Sequence, residues 1–510
     1  MNTTWAYYLW LKSLKKENDF FINNLNNPNK IQEQKLFDYL NRFKNSNYGV
    51  KHSLSKIATV QEFQKEVPIV DYEDLSTYIS CISRGDNNVL ANEKVLFFEE
   101  TSGTQSDSKL IPYNRSLLKE FNTALAPWMH AVFKLYENVF SGKSYWTISP
   151  PNKPIWRTEG GIAVGIDNDS RYLSWAGRVL SKHMIFSSRK NHFVEKTAFF
   201  IAELKEIINY QKIGFISSWS PSFLLMMDEI LREHWTSIVS KTSNLSIDAT
   251  WDKIFPNLKL ISCWTHGSSQ VFQNKLNTVI GDIPIQAKGL LSSEGVVSIP
   301  ISKEKDPVLS FTSHFFEFEC QLSKDVILCK DLVIGNKYEV ILTTGNGFLR
   351  YRTKDIVLIT GKIMQTPTMI FVGRKSLNSD IVGEKLTELH CVEIIDELSR
   401  NFEIDIYTAY FSVGFIKKNK YFYKLVLVDP KTSFDKDKIL KFVELKLRSN
   451  PYYEQAILMG QLENLKIEAL SKHQYVQMLE NYYEEKNIKA GDRKPPVLFP
   501  LKLKDVIIEL

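Results

Sequence analysis

The first third of the chain carries apolar residues at helical spacing. In IQEQKLFDYLNRF (31–43), the side chains of Ile31, Leu36, Leu40 and Phe43 recur every three to five residues. That spacing predicts an amphipathic helix with one face in the core.

Start signals predict two further short helices. Thr59 and Glu62 form a T-x-x-E capping box, in which each side chain satisfies a backbone N–H at the helix start. Asp71 can cap a helix over 72–79 in the same way. We therefore expect the opening third to be mainly helical.

From about residue 95 the pattern alternates between short apolar runs and polar turns. VLFFEE (95–100) predicts a strand, and a helical stretch follows at 116–138. Leu258–Trp264 predicts a buried strand that ends in a polar loop. Strands alternating with helices, with polar turns at the strand ends, predict an α/β fold that binds its ligand at those ends.

The pattern changes again after the Gly-containing junction FVGRKSLNSDIVGEKLTE. A new α+β set follows, with helices at 387–400 and 434–448 and strands at 405–415 and 420–428. We place the domain boundary near Arg374, which predicts a large N-terminal domain (1–373) and a small C-terminal α+β domain (374–510).

Composition narrows the function classes. The chain has 510 residues, 44% of them hydrophobic and 24% charged, as is usual for a globular protein. Its net charge of +6 is small for this length, so we expect no nucleic-acid partner. Five cysteines without a CxxC motif predict no disulfide framework and a reducing, cytoplasmic setting. The amino terminus does not have the pattern of a signal peptide, and we expect no transmembrane segment or membrane partner.

The first candidate site is the loop TSGTQSDSK (101–109). Ser102, Thr104 and Lys109 supply hydroxyls and a cation, and Gly103 allows a close backbone approach, which suits a polyphosphate. Taken alone, an ordinary solvated Ser/Thr turn is an equal alternative.

Two acidic turns come later in the chain. Ser293 and Glu294 lie in SSEG between predicted strands, where a lone carboxylate can hold Mg²⁺ beside substrate phosphates. Asp355 ends LRYRTKD, where it can accept hydrogen bonds from ribose hydroxyls. For each in isolation, a solvated turn or a charged surface hairpin is the simpler interpretation.

Two basic residues flank the predicted boundary, Arg374 in GR and Lys385 in GEK. A hinge there would bring both to a ligand between domains, although a plain linker gives the same pattern.

Aromatic and polar residues suggest an acyl-binding pocket. Trp219 and Ser220 lie in SSWSPSF, and Trp264 and His266 lie in CWTHGSS. The alternatives are core packing for the tryptophans and an ordinary loop position for the histidine.

The order and spacing of these motifs are more specific than any one of them. The SSE turn follows the loop by about 190 residues, the aspartate turn by about 60 more and the GR pair by about 20 more. This series resembles the adenylate-forming enzymes, which carry TSGTTGxPK, YGxTE, YxTGD and GRxD in that order. KLIPY, FPNLKLISCW, KGLLSSEGVVSIP and HFFEFE are more closely similar to the auxin-responsive-promoter family of acyl acid amido synthetases, in particular its bacterial members.

The resemblance implies a ligase that adenylates a carboxylic acid with ATP and Mg²⁺ and then transfers the acyl group to an amino acid. It implies a large adenylate-forming domain and a small, mobile C-terminal domain. By motif position, Ser102, Gly103, Thr104 and Lys109 match the phosphate loop, and Lys385 matches a lysine that reaches the adenylate phosphate.

Further matches complete the implied site. Ser293 and Glu294 correspond to the Thr-Glu pair, with Glu294 as the Mg²⁺ ligand. Asp355 corresponds to the ribose-binding aspartate and Arg374 to the hinge arginine.

The sequence departs from the family pattern at several positions. Ser106 and Ser108 replace glycine and proline in the loop, Leu290 replaces the tyrosine of YGxTE, and Lys354 replaces the glycine of YxTGD. These changes bear on nucleotide affinity and leave the chemically required groups in place. An acyl-CoA ligase, which shares the first half-reaction, and a binding protein with a decayed site are the two alternative functions.

Overall fold

The computed structural model describes the chain except for residues 102–108, 148–154, 166–172, 187–195, 240–244, 267–269, 376–377, 403, 405, 417–419, 432, 487–494 and 500–510. The described residues divide into two compact units. The first contains Met1–Thr265 and Lys275–Phe371, and the second contains His266–Asn274, Val372–Ile488 and the described part of Arg493–Leu510.

Helices dominate the start of the first unit. The helices up to the end of the central parallel sheet are α1 (Thr3–Ser13), α2 (Lys15–Asn23), α3 (Pro28–Phe43), α4 (Asn47–Lys51), α5 (Val60–Glu66), α6 (Tyr72–Arg84), α7 (Arg115–Leu135), α8 (Trp175–Met184), α9 (Lys196–Tyr210), α10 (Pro221–Glu233), α11 (Trp235–Ile238), α12 (Trp251–Ile254) and α13 (Gln270–Ile280). Short 3₁₀ turns lie at Leu54–Lys56 and Cys329–Asp331.

The strands of the first unit form three sheets. They are β1 (Phe97–Thr101), β2 (Lys109–Tyr113), β3 (Lys143–Trp146), β4 (Trp156–Arg157), β5 (Ala163–Val164), β6 (Ile213–Ser217), β7 (Leu260–Cys263), β8 (Ile285–Ala287), β9 (Ser298–Ile299), β10 (Val308–Leu309), β11 (Phe315–Cys320), β12 (Val326–Leu328), β13 (Lys337–Thr343), β14 (Tyr351–Ile363) and β15 (Thr366–Arg374).

Each sheet has its own topology. The order β3-β6-β7-β8 is a parallel sheet, with Phe215 opposite Leu260 and Ile261 opposite Ile285. The order β2-β1-β5-β4 is mixed, and β12-β11-β13-β14-β15-β10-β9 forms the largest sheet. The parallel sheet between helices confirms the predicted α/β class.

The second unit is built on the mixed sheet β20-β19-β18-β21. Its elements are β16 (Asn378–Ser379), β17 (Leu386–Thr387), α14 (Glu388–Asn401), β18 (Thr408–Ile416), β19 (Lys420–Val428), α15 (Lys436–Arg448), α16 (Pro451–Leu458), β20 (Leu462–Leu470), α17 (Lys472–Glu485) and β21 (Leu498–Phe499). Leu425, Leu427 and Ile439 are among the fully buried side chains of its core.

Most of the elements expected from the sequence are confirmed. The helix expected at 31–43 begins earlier, at Pro28, because a proline fits the first helical turn. Thr59 and Glu62 form the predicted capping box of α5. The helices and strands expected beyond residue 387 are present, with ends shifted by a few residues. Among the described helices, none is both long and apolar enough to cross a membrane.

Candidate functional site

Lys109 lies at the base of an antiparallel hairpin. It opens β2 and pairs with Thr101, the last residue of β1. Its ammonium lies 5.2 Å from the centre of the Tyr72 ring, a cation–π distance. The predicted phosphate-loop residues Ser102, Gly103 and Thr104, which connect the two strands, lie outside the described residues.

Ser293 and Glu294 occupy a tight turn closed by a bridge between Leu291 and Val296. The turn is fastened across its ends, since the Ser292 N–H donates to the Gly295 carbonyl at 3.0 Å. Glu294 is only 5% exposed. No residue in the described part of the chain donates a hydrogen bond to its carboxylate, although buried carboxylates ordinarily have a partner.

One hydrogen bond joins this turn to the hairpin. The hydroxyl of Tyr113, the last residue of β2, donates to the backbone carbonyl of Ser293 at 2.6 Å. The Tyr113 ring is stacked on Phe97 of β1, with ring centres 4.9 Å apart. The structure therefore brings together the Lys109 hairpin and the Glu294 turn, which are about 180 residues apart in sequence.

A buried pair, Glu120 and His314, is hydrogen-bonded to the backbone of the segment that follows Glu294. The Val296 N–H donates to Nε2 of His314 at 3.0 Å, and Nδ1 of His314 lies 3.0 Å from a Glu120 oxygen. Because Nε2 accepts a hydrogen bond, Nδ1 carries the proton and donates it to Glu120. A Cβ on Gly295 would lie 2.8 Å from Nε2, so the glycine is required for this close approach.

The Glu120 carboxylate also ties two other segments together. The Tyr39 hydroxyl of α3 donates to one oxygen at 2.7 Å, and the Gly345 N–H donates to the other at 2.8 Å. Burial lowers the pKa of His314 and keeps the ring neutral. Burial acts to raise the pKa of Glu120, but the hydrogen bond from His314 and the charge of Lys35 outweigh it and hold that pKa below its ordinary value.

Asp355 lies in a bulge of β14. The pairing of β13 with β14 shifts there, because Glu339 faces Ile356 whereas Ile341 faces Arg352. Within the bulge Lys354 has a left-handed backbone, with φ of +66°. A bulge re-aims side chains that a regular strand would alternate between faces, and here it sets the direction of Asp355.

The left-handed backbone explains why the family pattern has glycine at the position of Lys354. Lys354 stands where the pattern has glycine, and glycine is the residue that takes positive φ without strain. The chain keeps the conformation and tolerates the lysine, whose ammonium lies 3.6 Å from Asp71.

The arginines of LRYRTKD have structural partners. Arg350 is buried and makes two bonds to Glu317, at 2.9 and 3.0 Å. The guanidinium group of Arg352 donates hydrogen bonds to the carboxylates of Glu319 and Glu339, both at 2.7 Å. The interpretation of this motif as a charged hairpin of a surface sheet is therefore wrong, since these charges link three strands of the largest sheet.

The predicted acyl-binding residues of the first unit lie at the carboxyl ends of the parallel strands. Trp219 follows β6 and Trp264 follows β7, and their ring centres are 5.2 Å apart. Ser220 is buried and caps α10, since its hydroxyl accepts the Ser222 N–H at 3.2 Å. Sequence reasoning missed Lys288, which follows β8 and places its ammonium 4.5 Å from the Trp219 ring centre.

The remaining predicted residues, His266, Arg374 and Lys385, belong to the second unit. His266 is half-buried, and Arg374 is the last residue of β15. Lys385 is exposed, has φ of +46° and holds its ammonium 4.7 Å from the ring centre of Tyr452.

Glu384 fixes the loop that carries Lys385. Its carboxylate accepts the N–H groups of Ile381 and Val382 at 2.9–3.0 Å and also the hydroxyl of Tyr423. A fully buried carboxylate folded back on its own loop limits the positions that Lys385 can take. Sequence reasoning missed Glu384, because its partners are backbone groups of its own loop and a tyrosine about 40 residues away.

A magnesium ion fits Glu294 only together with phosphate oxygens. Among the described residues, no group of three or more His, Cys, Asp and Glu side chains can hold a metal. Mg²⁺ commonly binds through one or two carboxylates plus substrate phosphates, so a single buried carboxylate suits it.

Comparisons with known proteins agree on one family. The sequence matches the GH3 family N-terminal domain over residues 18–251 and the GH3 family central domain over 307–374. Indole-3-acetic acid-amido synthetase GH3.4 of Arabidopsis thaliana is 22% identical over 496 residues, covering 84% of this chain and 82% of the relative. Jasmonoyl--L-amino acid synthetase JAR4 of Nicotiana attenuata is 25% identical over 423 residues, covering 70% of this chain and 71% of the relative.

A solved structure shows the same fold. AtGH3.15 acyl acid amido synthetase in complex with 2,4-DB superposes with a TM-score of 0.83 at 18% identity, covering 96% of this chain and 95% of the other. The two domain matches leave 252–306 between them, so the assignment of Ser293 and Glu294 rests on their motif and on the contacts described above.

Proposed function

The chain belongs to the GH3 family, and from that premise we propose that it is an acid–amino acid ligase that works through an acyl-adenylate. The observation that carries the proposal is the Tyr113–Ser293 hydrogen bond. It holds a buried carboxylate without a described donor beside a hairpin whose connecting residues have the composition of a phosphate loop.

The first half-reaction joins the acid to ATP. A carboxylate oxygen of the acid attacks the α-phosphorus, the bond to the β-phosphate breaks, and pyrophosphate leaves. No protein nucleophile is needed, because the substrate supplies it. The chain then acts by positioning and by stabilising charge. We assign Lys109 and the 102–104 loop to the phosphates, Asp355 to the ribose and Glu294 to Mg²⁺.

The second half-reaction forms the amide. The amino group of an amino acid attacks the acyl carbon, the bond to AMP breaks, and the amine gives up a proton. We assign Lys385 and Arg374 to the phosphate region during these steps. The small size and separate core of the second unit support a mobile domain that starts near Arg374.

The activities for which the relatives are named support a proposal for the substrate class. They include synthetases for indole-3-acetic acid and jasmonoyl conjugates and a ligase of 4-substituted benzoates with glutamate. We propose a small carboxylic acid and an amino acid as substrates, with Trp219, Ser220, Trp264 and His266 around the acid. Five cysteines without a disulfide support a cytoplasmic location.

The test is acid-dependent exchange of pyrophosphate into ATP, run with aromatic, fatty and hydroxy acids, followed by product analysis with pooled amino acids. An amide product supports the ligase, whereas a thioester formed with coenzyme A would support the acyl-CoA ligase instead. Exchange with none of the acids would refute the proposal.

Glu294→Ala supplies the residue-level test. We expect it to lower exchange at least a hundredfold while the thermal unfolding midpoint stays close to that of the wild type, because no described residue bonds the carboxylate. Near-normal exchange in this variant would remove Glu294 from the site. Glu304→Ala, which changes an exposed glutamate, is the control.

A further inference from the structure

Lys288 is a buried cation at the edge of the parallel sheet where the acyl pocket is expected. It directly follows β8, its N–H donates to the Cys263 carbonyl at 2.9 Å, and the residue is only 4% exposed. Ligands of parallel α/β sheets bind beyond the carboxyl ends of the strands, which is where Lys288 lies. A buried lysine is uncommon, because removing an ammonium from water is costly.

Aromatic rings and a hydroxyl surround the ammonium. The Nζ atom lies 2.9 Å from the Ser217 hydroxyl, 4.5 Å from the Trp219 ring centre and 5.7 Å from the Trp128 ring centre. Trp128 is itself fixed, because its indole N–H donates to Gln286 at 2.8 Å. These contacts orient the ammonium, and the ring faces stabilise it.

The same rings connect Lys288 to the predicted pocket. Trp219 contacts both the ammonium and Trp264, whose ring centre lies 5.2 Å from its own. Trp219 and Trp264 are only half-buried, whereas Lys288 is buried. A planar ligand that packs on these rings would therefore meet the positive charge at the inner end of the site.

Cys263 offers no competing chemistry at this position. Burial raises the pKa of its thiol to about 12, although the charge of Lys288 acts in the opposite direction. The thiol is therefore neutral at physiological pH, and the ammonium is the chemically distinctive group at this edge.

We propose that Lys288 is a substrate-binding residue whose ammonium holds the carboxylate of a planar aromatic acid against Trp219. The proposal rests on the proposed function, because it names the group that positions the acid for attack on ATP. Lys288 makes no covalent bond and transfers no proton in this role. It orients one carboxylate oxygen and leaves the other to react.

Calorimetric titration with benzoate and with benzamide tests the charge directly. The two ligands have the same ring, and only benzoate carries the anion. We expect the wild type to bind benzoate at least about tenfold more tightly than benzamide. Lys288→Met should lose that preference, and Lys288→Arg should keep most of it. Lys303→Met, which removes an exposed lysine 4.6 Å from the Tyr136 ring centre, should leave it unchanged.

Each outcome decides the question. If the wild type binds both ligands equally or binds neither, the proposal is overturned. This test needs no variant, so it holds even if Lys288→Met fails to fold. Unchanged benzoate preference in a folded Lys288→Met protein also overturns it. A fall in stability without a change in preference would assign Lys288 a purely structural role.

Pyrophosphate exchange separates this proposal from the proposed function. In Lys288→Met we expect the KM for an aromatic acid to rise about tenfold or more, while the KM for ATP changes less than about twofold. Exchange by the wild type with fatty acids alone would leave the ligase standing and overturn the role of Lys288. Exchange with no acid would overturn the ligase itself.

Discussion

The Tyr113 hydroxyl donates a hydrogen bond to the Ser293 carbonyl at 2.6 Å, and this bond joins the end of β2 to the turn that carries Glu294. Tyr113 is completely buried and Ser293 is half-buried, so the bond is partly shielded from competing water. This hydrogen bond fixes the position of the Glu294 turn relative to β2, although the two segments are 180 residues apart in sequence.

Tyr113→Phe should loosen this turn. We expect the free energy of unfolding to fall by about 1–2 kcal/mol, because the Ser293 carbonyl loses a buried donor. The kcat of pyrophosphate exchange should fall more than the KM for the acid changes. Urea denaturation and steady-state exchange measure the two effects. Tyr48→Phe is the matched control, since its buried hydroxyl has no hydrogen-bond partner among the described residues. Equal effects in both variants would refute the prediction.

His314→Gln should flatten the pH dependence of stability. Burial lowers the pKa of His314 below its ordinary value of 6.5. Just below pH 6.5, His314 is therefore protonated in the unfolded chain but still neutral in the folded chain. The contribution of this histidine is full above pH 6.5 and is lost as the pH falls, at up to about 1.4 kcal/mol per unit. Glutamine can accept from Val296 and donate to Glu120, but it cannot take up the proton.

The measurement is chemical denaturation at pH 8 and pH 5. The wild type should lose more stability between these values than His314→Gln does. The exposed His473→Gln should behave like the wild type. If the stability of the wild type and of His314→Gln changed with pH to the same extent, the pKa of His314 would not be lowered by folding.

Glu203→Gln should stabilise the protein at alkaline pH. Glu203 of α9 is buried, and burial raises the pKa of its carboxyl group from 4.5 to about 7. Its stabilising contribution is therefore full below pH 4.5 and is lost as the pH rises through about 7. At pH 8 the glutamine variant should be more stable by about 3 kcal/mol, and at pH 4 the two should be equal. Thermal unfolding at both pH values measures this, with the exposed Glu233→Gln as control. A gain of the same size at pH 4 would contradict this origin.

Lys354→Gly should stabilise the Asp355 bulge. A non-glycine residue in the left-handed region costs about 1–2 kcal/mol, and Lys354 has φ of +66°. Loss of its half-buried contact with Asp71 and the larger unfolded-state entropy of glycine should together offset about 1 kcal/mol of that, so we expect a net gain of about 0.5 kcal/mol. Lys362→Gly, in the same strand outside the positive-φ region, should instead destabilise by about 0.5–1 kcal/mol. Urea unfolding of both variants gives the comparison, and a loss of stability in Lys354→Gly would contradict the strain.

Local patterns predicted the elements well because their causes are local. The capping box of Thr59 and Glu62 and the apolar spacing of 31–43 depend on residues within one or two turns. The short strand Lys109–Tyr113 was missed, because its alternation is brief and its pairing with β1 depends on the hairpin as a whole.

The residues of the candidate site also fall into two groups, those with a local sequence signal and those without one. Lys109, Glu294 and Asp355 were predicted because their motifs are short and ordered along the chain. Glu120 and His314 were not, since they are 194 residues apart and each occupies a segment that looks like ordinary core. Lys288 was missed because a lysine after a strand normally indicates solvent, and only the tertiary structure shows that two tryptophans enclose it.

The carboxylate of Glu120 also has a consequence for biosynthesis. It receives donors from Tyr39, His314 and Gly345, so its last partner is made long after the helix that carries it. A nascent chain that has emerged only through α7 holds a charged group destined for the interior with most of its donors not yet translated. The first unit therefore cannot reach its final packing until the ribosome has delivered residues beyond 345, and chaperone protection of the early helices during translation should matter for its yield.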